Sequence, residues 1–95
     1  MAAYLMVDNE ITDQALFADY IRDIVAVTEA HGGKYLVRGG AAEVVEGNWT
    51  PHRVVVIEFE DLDHAHGFVN DPNYVRLADI RGRSSVTSTV IVEGV

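Results

Sequence analysis

Residues 52–59 read His52-Arg53-Val54-Val55-Val56-Ile57-Glu58-Phe59. Valine, isoleucine and phenylalanine suit a pleated strand, where successive side chains point to opposite faces. One face then carries Val55, Ile57 and Phe59, and the other carries Val54 and Val56. A sheet wetted on one side alternates apolar with polar residues, and this strand is apolar on both. The N-terminal stretch repeats the pattern, with Tyr4 and Met6 on one face and Leu5 and Val7 on the other. Both faces of this sheet need cover.

Residues 3–9 form the first strand by the same criteria. Leu16, Phe17, Tyr20, Ile21, Ile24, Val25 and Thr28 then recur at spacings of three and four, the apolar face of a helix over about residues 13–31. Thr12 is the expected N-cap, and Gly32-Gly33 the stop. Lys34 to Arg38 reads as the second strand, and Gly39-Gly40 as a bulge or bend. Extended structure is expected to resume at residues 43–46, with Gly47 to Pro51 as the turn into the third strand. Asp61 caps a helix to about Asn70, Asp71-Pro72 restarts one that ends at Gly82, and residues 86–93 form the last strand.

The order is β-α-β-β-α-β, with the second helical region broken in two. Right-handed crossovers around an antiparallel hairpin give an α+β, ferredoxin-like sandwich: a four-stranded antiparallel sheet with helices on one face. One domain spans residues 1–95, and a chain of 95 residues buries only roughly 64% of its unfolded surface. Its helices suffice for one face of the sheet. The other face is expected to meet a second copy, giving a homodimer whose sheets form an α/β barrel.

Composition excludes several classes of function. Fifteen acids against seven bases give a formal charge of −8, which argues against a nucleic-acid partner. Without cysteine there is no disulfide, thiol nucleophile or thiolate metal site. Apolar runs such as Val54 to Ile57 fall far short of the roughly 20 residues that cross a bilayer, and the N-terminus lacks the basic region of a signal peptide. No membrane partner is expected, and the expected location is the bacterial cytoplasm. His64 and His66 are two apart on a helix and diverge, so no metal site is expected.

The strings Gly32-Gly33-Lys34-Tyr35-Leu36-Val37-Arg38-Gly39-Gly40 and Glu46-Gly47-Asn48-Trp49 are distinctive, as is Val56-Ile57-Glu58-Phe59. With Pro72, Tyr74, Arg81 and Val92-Glu93-Gly94, they resemble the domain of unknown function 1330 family along the whole chain. That resemblance implies the dimeric α/β-barrel superfamily, which holds cofactor-free monooxygenases, isomerases, haem enzymes and proteins without assigned chemistry. It transfers no activity. The chain departs from the family pattern at Phe68, where tryptophan is common, and at Asp71, where serine is. A ligand contact through an indole at position 68 therefore does not carry over.

Candidate site residues follow from the strands and helix faces. A tight hairpin centred on Asn48 places Arg38 opposite Glu58 and Arg53 opposite Glu43. Such pairs stabilise register by about 0.2–1 kcal/mol each. The functional alternative gives Arg38 or Arg53 a substrate carboxylate to hold, and makes Glu58 the acid/base. Tyr20 and Tyr74 lie on core-facing helix sides, able to line a sheet–helix pocket or to serve as core, and Trp49 is able to close the pocket or meet the partner subunit. Arg81 and Arg83 with Ser84-Ser85 form a local basic and hydroxyl cluster able to bind an anion at the helix end, although the dipole alone accounts for the arginines and is the favoured reading. The candidate site is thus Glu58 and Arg38 as catalytic residues, with Arg53, Tyr20, Tyr74, Trp49 and Phe68 binding substrate. Its expected use is to bind a small metabolite, with no cofactor, in an isomerase or monooxygenase-like reaction; the rival is a dimer that binds a ligand or protein without chemistry.

Overall fold

A computed structural model describes residues 1–95. The chain runs β1 (Ala3–Ile11), α1 (Gln14–Ala30), β2 (Lys34–Arg38), β3 (Val54–Phe59), α2 (Leu62–Val69), α3 (Pro72–Ser84) and β4 (Ser85–Glu93). The strands form one antiparallel sheet in the order β2-β3-β1-β4. This is the ferredoxin-like α+β sandwich, with helices on one face. No helix is long and apolar enough to cross a membrane.

Alternation along the two central strands builds the core. Ala3 and Leu5 of β1 are buried beside Val55, Ile57 and Phe59 of β3, and the helices cover them with Phe17, Ile24, Phe68 and Leu77. Phe68 stacks 5.3 Å from Phe59 and meets Tyr74 edge-on at 4.8 Å. Removing a ring at such a position typically costs about 3–5 kcal/mol. Gly33 lets α1 turn closely onto β2: a Cβ there would lie 2.6 Å from Thr28 Cγ2 and 3.0 Å from the Thr28 carbonyl oxygen.

Several local expectations need correction. The cap of α1 is Asp13, whose carboxylate accepts the Leu16 N–H; the Thr12 N–H is instead tied to the Ser84 carbonyl. Helix α3 continues through Gly82 to Ser84, since a lone glycine costs only about 1 kcal/mol and its neighbours hold the helix. Residues 39–53 contain no strand, so no extended structure resumes at residues 43–46. The tight hairpin is absent, and so is its register. The bulge falls between Tyr35 and Val37, not at the glycines.

That bulge decides where Arg38 points. Tyr35 faces Ile57 and Lys34 faces Glu58, whereas beyond the bulge Arg38 faces Val55. One extra residue inverts the phase of the strand. Leu36 and Val37 turn outward together, and Arg38 is returned to the helix-covered side.

Candidate functional site

Between sheet and helices lies a cavity open to water-sized molecules over about 30 Å³, inside a depression of about 440 Å³. Its floor is sheet, from Leu5, Val7, Val55 and Ile57, and its walls are Ile21, Ile24 and Phe68. Set among these apolar groups are Arg38, Arg53 and Arg81 with Tyr20, Tyr35, Tyr74 and Asn9. No aspartate, glutamate or histidine lines it. None of the three arginines forms a salt bridge anywhere in the protein.

Each arginine is held by neutral groups. The Arg38 guanidinium lies over the Tyr35 ring, 4.7 Å from its centroid. Arg53 Nη1 donates to Asn9 Oδ1 at 3.1 Å, and its guanidinium carbon sits 5.7 Å from the Phe17 ring centre. Asn9, almost fully buried, passes its own amide N–H to Thr87 Oγ1 at 2.8 Å, which fixes the oxygen toward Arg53. Gly39, at φ +71°, lets the chain pass over the Arg53 side chain; a Cβ there would stand 3.2 Å from Arg53 Nε. Burial, reinforced by the charge of Arg38, lowers the Arg53 pKa from its ordinary value.

The third arginine reaches in from α3. Arg81 Nη1 donates to Tyr74 OH at 3.2 Å and to Tyr20 OH at 3.5 Å. Both phenol oxygens act as acceptors in these bonds, and neither hydroxyl proton is given to a protein group. Burial raises the Tyr20 pKa against the opposing pull of Arg81, so the phenol keeps its proton at neutral pH. For Arg81, burial works downward, but the hydrogen bond with Tyr74 and the field of Tyr20 outweigh it, and the guanidinium stays charged.

The cavity therefore brings together Arg38, Arg53, Tyr20, Tyr74 and Phe68 from the sequence-based candidates, and leaves out two. Glu58 shares the outward face of β3 with Val54 and Val56, opposite Lys34, so the sheet separates it from the cavity. No Arg38–Glu58 or Arg53–Glu43 pair exists, because both needed the tight hairpin. Trp49 also lies on the outer side, its indole N–H donating to Asp8 Oδ2 at 3.2 Å. Beneath it a second, mostly apolar hollow of about 290 Å³ is bounded by Met6, Asp8, Val54, Ser88 and Val90. Two polar residues of the cavity, Tyr35 and Asn9, were not anticipated, and Arg81, weighed only as an anion binder at the helix end, lines the cavity as well. The helix dipole accounts equally for an arginine in a last turn that points to solvent, and nothing in the local sequence separates the two cases.

A family model described as a domain of unknown function (DUF1330) matches residues 2–95. The chain belongs to that family. Among curated proteins, none matches this DUF1330 chain. Solved structures share its fold at low identity. A Rhodopseudomonas palustris protein of unknown function is 17% identical, with TM-score 0.78 over 99% of this chain and 82% of its own. A dimeric ferredoxin-like protein of unknown function from Bacteroides fragilis is 13% identical, with TM-score 0.64 over 98% and 96%. A Caulobacter crescentus protein provisionally named an antibiotic biosynthesis monooxygenase is 13% identical, with TM-score 0.68 over 99% and 90%. At these identities the DUF1330 chain shares a fold with them and takes no activity from them.

Proposed function

We propose that the protein is a homodimer that binds a small carboxylated metabolite in the sheet–helix cavity of each subunit. The observation that carries this reading is the convergence of Arg38, Arg53 and Arg81 on one partly apolar cavity that holds no acid. Arg53 and Arg81 are half-buried without an acidic partner, with the exposed Arg38 beside them, and an anion in the space between them would compensate that charge. Arginine suits the task because its planar fork matches a carboxylate with two parallel hydrogen bonds. The apolar floor and Phe68 select a short carbon skeleton over inorganic anions.

Dimerisation is supported by the outer sheet face. Met6, Val90 and Val92 are exposed there together with Trp49, a contiguous apolar surface of the kind that subunits cover. Neighbours in fold whose names call them dimeric support it further. Because no carboxylate or imidazole lines the cavity, a binding protein without acid–base side-chain chemistry is the second reading. This reading gives Glu58, on the outer face of the sheet, no part in the cavity.

Titration calorimetry with acetate, propionate, 2-oxobutyrate and succinate tests the proposal. Saturable binding to the native protein, weakened at least about tenfold by Arg53→Gln, is expected from the loss of a charge-assisted pair. Binding that is unchanged in that variant, or no binding by any of the four, refutes it.

A further inference from the structure

The cationic groups of the cavity are not alike. Arg38 and Arg53 come from β2 and the approach to β3, and Arg53 is fixed by a neutral amide rather than by a hydroxyl. Arg81 comes from α3 and engages two phenols through a single nitrogen, Nη1. Both phenol oxygens lie within 3.5 Å of that one nitrogen and accept from it, which leaves two hydroxyl protons free. Two O–H donors backed by a shared cation suit one oxygen atom carrying negative charge, whereas a planar carboxylate is better matched by a guanidinium fork.

We infer that Tyr20, Tyr74 and Arg81 form an oxyanion pole, and that the ligand is a small oxo carboxylate bound through its carboxylate to Arg38 and Arg53 and through its carbonyl oxygen to the two phenols. This rests on the anion-binding reading above and adds the second oxygen. It also assigns a reaction that such a pole promotes, enolisation. A C–H bond next to the carbonyl breaks, its electron pair forms the carbon–carbon double bond, and the carbonyl π pair moves onto the oxygen held by Tyr20 and Tyr74. The proton leaves to hydroxide or a buffer base in the water at the mouth, and reversal takes a proton back from that water. Nothing is oxidised or reduced. The phenols are suited to the role because Tyr20 keeps its proton, and because Arg81 consumes their acceptor side and leaves their donors to the ligand. Preorganised donors of this kind stabilise the charge that develops without having to reorient.

The experiment follows exchange of the carbon-bound protons of pyruvate and 2-oxobutyrate for deuterium by proton NMR in D2O. It compares the native protein with Tyr20→Phe/Tyr74→Phe and with Arg53→Gln, with calorimetry of the same acids alongside. The phenylalanine rings keep the packing, and circular dichroism checks that the variant is folded. Expected are exchange faster than in buffer alone, loss of at least about tenfold of that rate in the double phenylalanine variant, and a smaller loss in its affinity for acetate. Binding of the oxo acids that depends on Arg53, with exchange at the buffer rate or unaltered by the double variant, overturns the oxyanion pole and leaves the anion site standing. Absence of all carboxylate binding overturns both.

Discussion

The carboxylate of Asp8, on β1, accepts the indole N–H of Trp49 at 3.2 Å, closing the long 39–53 loop onto the outer face of the sheet. Its other oxygen accepts the backbone N–H groups of His52 at 2.8 Å and Arg53 at 3.1 Å. One side chain thus anchors both the tryptophan that roofs the outer hollow and the backbone from which Arg53 reaches into the cavity. Asp8→Ala is expected to destabilise the fold by about 1–3 kcal/mol, as three donors lose their acceptor. It is also expected to weaken carboxylate binding, though no ligand reaches Asp8. Chemical denaturation and calorimetry on the same variant measure the two effects.

Acid should loosen the same anchor. Burial pushes the Asp8 carboxyl up, but the N–H donors of His52, Trp49 and Arg53 outweigh it and hold its pKa below the ordinary value. Asp71 is lowered as well, first by its bond to His31, whose Nε2 lies 2.7 Å from Asp71 Oδ2 and ties the end of α1 to the start of α3. A carboxyl with a depressed folded pKa binds fewer protons folded than unfolded. Its stabilisation is therefore full well above the unfolded value of about 4 and is lost as pH falls through the folded pKa. Melting temperature should hold on the neutral side and fall below about pH 4, and Asp8→Asn should flatten that fall.

Removal of one like charge should separate binding from stability. Arg38 is exposed, accepts no salt-bridge partner, and its charge lowers the pKa of Arg53. Arg38→Gln is expected to leave the unliganded protein as stable as before or more stable by up to about 0.5 kcal/mol at low salt, while carboxylate affinity falls about tenfold. A thermal melt with and without ligand reads both at once.

The outer sheet face gives its own prediction. Met6 stands opposite Val56 on one side and Val90 on the other, and none of the three lines the sheet–helix cavity. Met6→Asp places a charge in the middle of this apolar surface. Sedimentation should show the native protein as a dimer and the variant as a monomer of unchanged helix and strand content.

The fold was legible in the sequence because its signals are local and periodic. Val55, Ile57 and Phe59 mark one face of β3 by spacing alone, and Tyr20 and Tyr74 fall on the inward sides of helices recognised by their three-and-four pattern. The site was legible only in part. Arg38 lines the cavity, but by a route the sequence did not suggest: it gets there through a bulge at Leu36, not through a partner across a tight hairpin. The same misplaced register brought Glu58 into the site, and a shift of one residue moves a side chain to the opposite face. Arg81 was hidden because its direction depends on how α3 lies against Tyr20, a tertiary relation that no spacing in α3 encodes.

The most direct measurement is a crystal structure of the protein soaked with 3-bromopropanoate, with the bromine located by its anomalous signal. The account predicts the carboxylate within hydrogen-bonding distance of Arg53 and Arg38, and the bromine on the apolar side toward Phe68. A cavity that holds only water while the bromine is found elsewhere, or nowhere, would contradict it.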